Sequence, residues 1–289
     1  MAPVPVWARL VAVLVAIATV PLTVLLVVAI AITLTWTNAD LDRTTTFAVA
    51  QAPTLHVNGG LGRVIIEAGQ DGSVVVEDQQ SVEAMTRAFA VRVLRQTAVR
   101  TSRDGDSITV DQVDPDFHDL GFSRDPVVTI RVPVHTALDI SDATVEVHGI
   151  DGSVHYRGSG NVVIRNTVLR GTSTLELAGG DVDLRDVTVA GNATLVNTFG
   201  SVAFAGSLAP GGSTLHIRSD NRATVALPRP TDAHAVITTP FLQADPAWGI
   251  AVDANQAPYP ARTWTLDLGP DPTGSLTVEA NSVVEFDVR

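Results

Sequence analysis

The feature that most restricts what this chain can fold into is a step of 20 residues that recurs through its second half. Set at that step, Leu175, Leu195 and Leu215 fall in one row and Val162, Val182 and Val202 in a second. Ile164, Leu184 and Phe204 form a third row, and Gly160, Gly180 and Gly200 a fourth. The pairs Ser173-Thr174, Ala193-Thr194 and Ser213-Thr214 precede the three leucines. A unit this short, holding two or three brief strands, cannot bury its own apolar face, so successive units must stack and share one interior. The expected fold class is therefore all-β, a β-solenoid with rungs of about 20 residues. In Gly180-Asp181-Val182-Asp183-Leu184 the period of two points Val182 and Leu184 inward and both aspartates to water. The step weakens at Asn197, between Leu177 and Ile217, at Arg222, where the valine row ends, and at His155, one step before Leu175.

Residues 53 to 111 carry the same strand signals with one interruption. Leu55-His56-Val57, Val64-Ile65-Ile66 and Val74-Val75-Val76 are strand-like, and Asp71-Gly72 is a turn signal before the last of them. Val82, Met85, Phe89 and Val93 are spaced for a helix, which predicts a short one from about Ser81 passing into a strand near Val91. Asp104-Gly105 then turns the chain into Ile108-Thr109-Val110. Asp111 to Asp125, with Pro115 and Gly121, shows no period and reads as an exposed loop.

From Leu10 to Trp36 the chain holds no charged side chain, long enough as a helix to cross a hydrocarbon core of about 30 Å. Trp7 and Trp36 flank the run as interfacial anchors would, and Pro21 predicts a kink in it. Arg9 on one side, against Asp40 and Asp42 on the other, predicts a single transmembrane helix with its N-terminus inside and the large domain outside the cytoplasm. A cleaved leader is the competing reading, because Ala48-Val49-Ala50 has the small-x-small form of a cleavage site. The expected organisation is 1–39 cytoplasmic N-terminus and transmembrane helix, 40–52 linker, and 53–289 the β-solenoid domain.

Composition excludes several chemistries. The net charge is −12, which disfavours nucleic acid as a partner. Every basic residue is arginine, so Schiff-base chemistry and a phosphate-loop lysine are ruled out. With no cysteine there are no disulfides, thiolate nucleophiles or thiolate-bound zinc.

The strand Val127 to Pro133 running into Leu138-Asp139-Ile140, followed by glycine turns at Gly152, Gly160, Gly180 and Gly200, resembles the putative-adhesin domain of bacterial envelope proteins. Leu55 to Gly59, the short helix after it and the closing Gly274 to Val278 share the likeness, which covers most of residues 50 to 289. Asn221-Arg222-Ala223, where a further glycine turn is expected, and the loop from Asp111 to Asp125 depart from that pattern. The resemblance implies a β-solenoid at the cell surface or membrane exterior, with no catalytic residues to carry over.

Candidate sites are few. Asp114, Asp116, His118 and Asp119 offer oxygen and imidazole donors that could hold a divalent cation, but they lack the order of a calcium-binding loop and read first as a solvated acidic loop. Asp181, Asp183 and Asp186 are the nearest approach to paired glycosidase carboxylates, yet Ser201, Ala203 and Gly206 one step on do not continue an acidic row. His148 and His155 flank a turn without carboxylate support for a metal pair. Arg87, Arg92, Arg95, Arg100 and Arg103 crowd cations into one short segment of an acidic chain, where an anionic wall polymer or lipid headgroup could dock. A charged outer face explains them equally well.

The functional expectation is a non-catalytic, membrane-anchored envelope interaction module, adhesin-like, with no cofactor and with an envelope protein or polymer as partner. The alternatives are a polymerising scaffold resembling bactofilins, or a carbohydrate-binding or carbohydrate-cleaving β-helix, for which Trp248, Tyr259 and Trp264 form the aromatic cluster to test.

Overall fold

A computed structural model describes residues 22–27, 37–59, 62–111, 123–250 and 260–289. In chain order the elements are β1 (Thr37–Ala48), β2 (Thr54–Asn58), β3 (Arg63–Ala68), β4 (Ser73–Ala84), the helix α1 (Arg87–Thr97), β5 (Arg100–Asp104) and β6 (Ser107–Asp111). Then come β7 (Ser123–Val132), β8 (Ala137–Ser141), β9 (Thr144–His148), β10 (Asp151–Gly152), β11 (Val154–Gly158), β12 (Val162–Arg165), β13 (Val168–Leu177) and β14 (Val182–Asn197). The last are β15 (Val202–Leu208), β16 (Thr214–Ser219), β17 (Arg222–Leu227), β18 (Ala233–Thr239), β19 (Phe241–Ala244), β20 (Arg262–Asp267), β21 (Gly274–Ala280) and β22 (Val283–Val288). The chain divides into two compact units. One is drawn from Met1–Leu41, Gln80–Gln96 and Asp116–Asp125, the other from Asp42–Gln79, Thr97–Pro115 and Pro126–Arg289.

The larger unit is built on two long parallel ladders. The first runs β6, β2, β8, β11, the second half of β13, the second half of β14, β16, β21 and β18. The second runs β7, β3, β9, β12, the first part of β14, β15, β17, β22 and β19. Residues alternate along most strands of the two ladders, with one set buried in a common core and the other outside. Leu55, Leu138, Leu175, Leu195 and Leu276 line the first ladder's inner side, while Val64, Val162, Leu184, Phe204 and Phe286 line the second. Branched and aromatic side chains in strict alternation favour such half-buried strands, since a slip of one residue would turn the whole set outward.

Two expectations about the fold are corrected. The expected β-solenoid of stacked rungs gives way to one continuous 22-stranded sheet, nearly closed and barrel-shaped. The long strands are the physical reason. β14 continues for 16 residues round its bends, with a bulge between Arg185 and Val187, and so ties the ladders into one sheet. Strand order also departs from chain order at both ends: β2 is inserted between β6 and β8, and β21 between β16 and β18.

The transmembrane helix is the second correction. No helix among the described residues is long and apolar enough to cross a membrane, so the single-pass placement with the N-terminus inside is withdrawn. Of the run Leu10 to Trp36, residues 22–27 are described and helical, and the rest lies outside the described residues.

The row assignments can be checked pair by pair. Val162 faces Val182 and Val182 faces Val202, all buried, as the 20-residue step requires. The leucine row holds for Leu175 and Leu195, but Leu195 then faces Ile217, and Leu215 faces Ala193. Two residues have been added at Gly211-Gly212, both with positive φ, so the corner is longer there. Tyr156, not His155, completes the leucine row, and Ala223, not Arg222, continues the valines. The helix begins at Arg87 rather than near Ser81, because Val82 and Ala84 alternate inward as the end of β4.

Candidate functional site

Helix α1 starts where Thr86 caps it: the Thr86 hydroxyl accepts a hydrogen bond from the backbone N–H of Phe89 at 3.3 Å. Ala90, Val93 and Leu94 bury one face in a small cluster with Ala39, Val82 and Ala84. Ala90 and Leu94, four apart, share a face, and Val93 adjoins it. The opposite arc carries Arg92 and Arg95, Arg87 is exposed at the helix start, and Met85 just before the helix is 52% exposed. The helix contains no acidic residue, and its first turn begins with a cation where the helix dipole favours an anion. Arg92 and Arg95, three apart, are neighbours on the surface and repel one another.

The other two members of the arginine cluster, Arg100 and Arg103, lie on β5 in the larger unit. Arg103 donates from Nε to the Gly105 carbonyl at 2.7 Å. Among the described residues, no carboxylate pairs with Arg87, Arg92, Arg95, Arg100 or Arg103.

On the two ladders the arginines are placed differently. Arg63 reaches Glu146 at 2.8 Å, Arg157 reaches Glu176 at 3.0 Å, and Arg222 reaches Glu285 at 3.5 Å. Arg185 pairs with Asp183 at 2.9 Å, Arg170 with Asp151, and Arg289 with Asp186. Arg131 bonds Glu77 at 2.5 Å with Glu67 at 3.7 Å, and the hydrogen bond and charge of Glu77 raise its already high pKa further. The same causes, from Asp151, raise Arg170.

The remaining sequence candidates take structural places. Asp183 and Asp186 are held in the ion pairs above, and Asp181 accepts the Ser201 N–H at 2.8 Å. His148 faces Arg165 on the second ladder and His155 faces Asp139 on the first, so the two histidines are not brought together. Asp114, Asp116, His118 and Asp119 lie outside the described residues, as does Tyr259. Among the described residues no group of three or more His, Asp or Glu is placed to hold a metal. Trp248 packs on Phe286 with ring centroids 5.2 Å apart and under the Arg229 guanidinium at 5.3 Å, while Trp264 sits opposite Ile237 on β20. They form no shared aromatic groove.

A feature that sequence reasoning missed lies on the outer side of the first ladder. Asn58, Asp139, Ser141, His155, Thr174 and the Arg157–Glu176 pair line a shallow groove of about 460 Å³. A second depression of about 610 Å³ adjoins it, sharing Arg157 and Glu176 and bounded by Asp142, Ser159, Ala178, Val196 and Thr198. Below it, Tyr156 is buried, donating its hydroxyl to the Ala143 carbonyl at 2.9 Å and accepting the Gly160 N–H at 3.0 Å. Burial raises the Tyr156 pKa, the Gly160 hydrogen bond opposes that, and the Asp142 charge adds to it.

No family model matches the chain, and no curated protein matches it. Solved structures give distant likenesses. A "putative cell adhesion protein" from Clostridium sporogenes is 10% identical with a TM-score of 0.35, over 86% of this chain and 100% of that one. A "putative adhesin" from Bacteroides fragilis is 12% identical with a TM-score of 0.38, over 85% and 96%. A "putative lipid binding protein" from Parabacteroides distasonis is 12% identical with a TM-score of 0.31, over 84% and 96%. Likenesses at this level establish neither the fold nor the role of this chain.

Proposed function

We propose that this chain is a non-catalytic interaction module of the cell envelope that docks on a phosphate-bearing partner through the arginines of α1. The observation that carries the reading is the contrast in how arginine is used. Six ladder arginines form ion pairs with carboxylates, Arg165 and Arg218 being exceptions among the described residues, whereas Arg87, Arg92 and Arg95 all stand exposed on a helix without one, in a chain of net charge −12. Unneutralised cations at mutually unfavourable positions cost helix stability, and a bound anion reverses the sign of each term. The guanidinium fork matches phosphate oxygens two at a time. The helix lies in the smaller unit, so Arg100 and Arg103 are not needed for the site as defined.

The polymerising alternative is less well supported. Both ends of the first ladder are closed by antiparallel strands, β5 on β6 and β20 on β18, which cover the backbone edge that end-to-end stacking would use.

Binding is tested with the full chain against vesicles of phosphatidylglycerol and phosphatidylcholine, vesicles of phosphatidylcholine alone, and soluble polyphosphate. Retention on the anionic vesicles or on polyphosphate, lost as salt rises, is expected. Vesicle binding alone would identify a lipid headgroup as the source of phosphate, and polyphosphate binding would identify a polymer. Equal binding to both kinds of vesicle, or none to any probe, would remove the proposal.

A further inference from the structure

The paired depressions on the outer side of the first ladder are independent of α1 and have no role in the reading above. We infer that they form one elongated binding site for an uncharged oligosaccharide. The groove crosses β2, β8, β11, β13 and β14, consecutive strands about 4.8 Å apart, close to the length that one pyranose unit adds to a β-linked chain.

The guanidinium in its lining is already compensated. Arg157 donates from Nε and Nη2 to one Glu176 oxygen at 3.2 and 3.0 Å, and His56 Nδ1 lies 3.0 Å from Asp139. An anionic ligand would have to displace Glu176 from Arg157 and would face Asp139 and Asp142. A neutral one can use the capacity left over, because Arg157 keeps further N–H donors and Glu176 a second oxygen. Asn58 is held by Asp111 at 2.6 Å, so it is oriented before any ligand arrives. Sugar hydroxyls both donate and accept, and so suit a wall where both roles alternate along the groove.

Backbone recognition of an extended peptide is closed off. β2, β8, β11 and β13 are each paired on both sides, which leaves no edge for an added strand. Occupants must be read by side chains. At one end the lining turns apolar with Ala178 and Val196, and Phe199, next to Thr198, exposes 80% of its surface. An exposed ring beside hydrogen-bonding groups offers a sugar its C–H face and its hydroxyls a partner at once.

The test is titration of the nitrogen-labelled full chain with cellohexaose, chitohexaose, mannohexaose and, as the charged control, hexagalacturonate, followed by amide resonances. At least one neutral hexasaccharide is expected to shift Ser159, Thr174 and Thr198 and to saturate in the millimolar range or below. Glu176→Ala combined with Phe199→Ala should weaken that binding about tenfold or more with an unchanged melting temperature, since both side chains are exposed. The inference is overturned if no neutral hexasaccharide moves those amides, if hexagalacturonate binds better than all of them, or if the double variant binds as the parent does. Intact binding in an Arg87→Ala, Arg92→Ala, Arg95→Ala variant keeps the result separate from the phosphate site.

Discussion

The ladders pair most of their arginines with carboxylates, and the helix pairs none of its own among the described residues. Along the ladders, Arg63, Arg131, Arg157, Arg170, Arg185 and Arg222 each lie beside a carboxylate brought near by register or by the same strand. On α1, Arg87, Arg92 and Arg95 share a short element with no acidic residue. Exposed ion pairs of the first kind contribute about 0–1 kcal/mol each and mainly leave the wall electrically quiet. Cations of the second kind weaken their own helix and leave a field that reaches into solvent. Buried positions of the sheet should therefore respond to substitution through stability, and the exposed arginines of the helix through phosphate binding.

The largest expected effect is at a corner of the sheet. A Cβ at Gly200 would overlap the carbonyl oxygen of Gly180, in the neighbouring corner one step earlier, and crowd Asn197 Nδ2 in its own turn. Asn197 holds that turn by donating to the Gly180 and Ser201 carbonyls and accepting the Gly200 N–H. Gly200→Ala should cost about 4 kcal/mol or more, or prevent folding, as read by urea denaturation. A change below about 1 kcal/mol would mean that the corner relaxes freely and the sheet is less rigid than described.

Leu184→Ala comes next. Leu184 is fully buried between Ile164 and Phe204, and its truncation should cost about 2–5 kcal/mol with phosphate binding unchanged once the protein is folded. Loss of binding in a variant that remains folded would break the separation between the two regions.

Tyr156→Phe should have a smaller effect with a distinctive pH dependence. Burial, the main cause, raises the folded-state pKa of the phenol, so the stability tied to its neutral form is fully present below the unfolded value of about 10. It is lost as pH rises from there through the folded-state pKa. The variant leaves the Ala143 carbonyl and the Gly160 N–H without the hydroxyl, costing about 1 kcal/mol at neutral pH. It should also lose this contribution to the alkaline decline in melting temperature. An alkaline limb identical to the parent's would show that Tyr156 is not what titrates.

These residues also show how far the sequence could be read. Val162, Val182 and Val202 meet because the corners between them have equal length, which a fixed step detects. Leu215 escapes that step because Gly211-Gly212 lengthens one corner, and Tyr156 escapes because Val154–Gly158 lies 19 rather than 20 residues from its partners on β13. The insertion of β2 and β21 between strands distant in sequence leaves no local trace, since alternating burial in Gly274–Ala280 is the same whichever neighbours it has. Val82 fits a helical spacing with Met85 and a strand alternation with Ala84, and pairing in the sheet decided for the strand.

The run of arginines stands out in the sequence because it is contiguous, but its division between α1 and β5 does not. The groove was not legible, because Asn58, Asp139, His155 and Glu176 converge through register alone. The sequence also placed a membrane span over Leu10 to Trp36, where no described helix has the length to make one.

The most direct test of the central claim is the salt-dependent affinity of the full chain for phosphatidylglycerol vesicles and polyphosphate, compared between the parent and an Arg87→Ala, Arg92→Ala, Arg95→Ala variant. The account predicts that the variant keeps its melting temperature or gains slightly, because each replaced side chain is exposed, worth within about 0.5 kcal/mol, and unfavourable to the helix. It should lose most of its affinity and nearly all of its salt dependence. A folded variant that binds the anionic probe as tightly as the parent would contradict the assignment of α1 as the docking face.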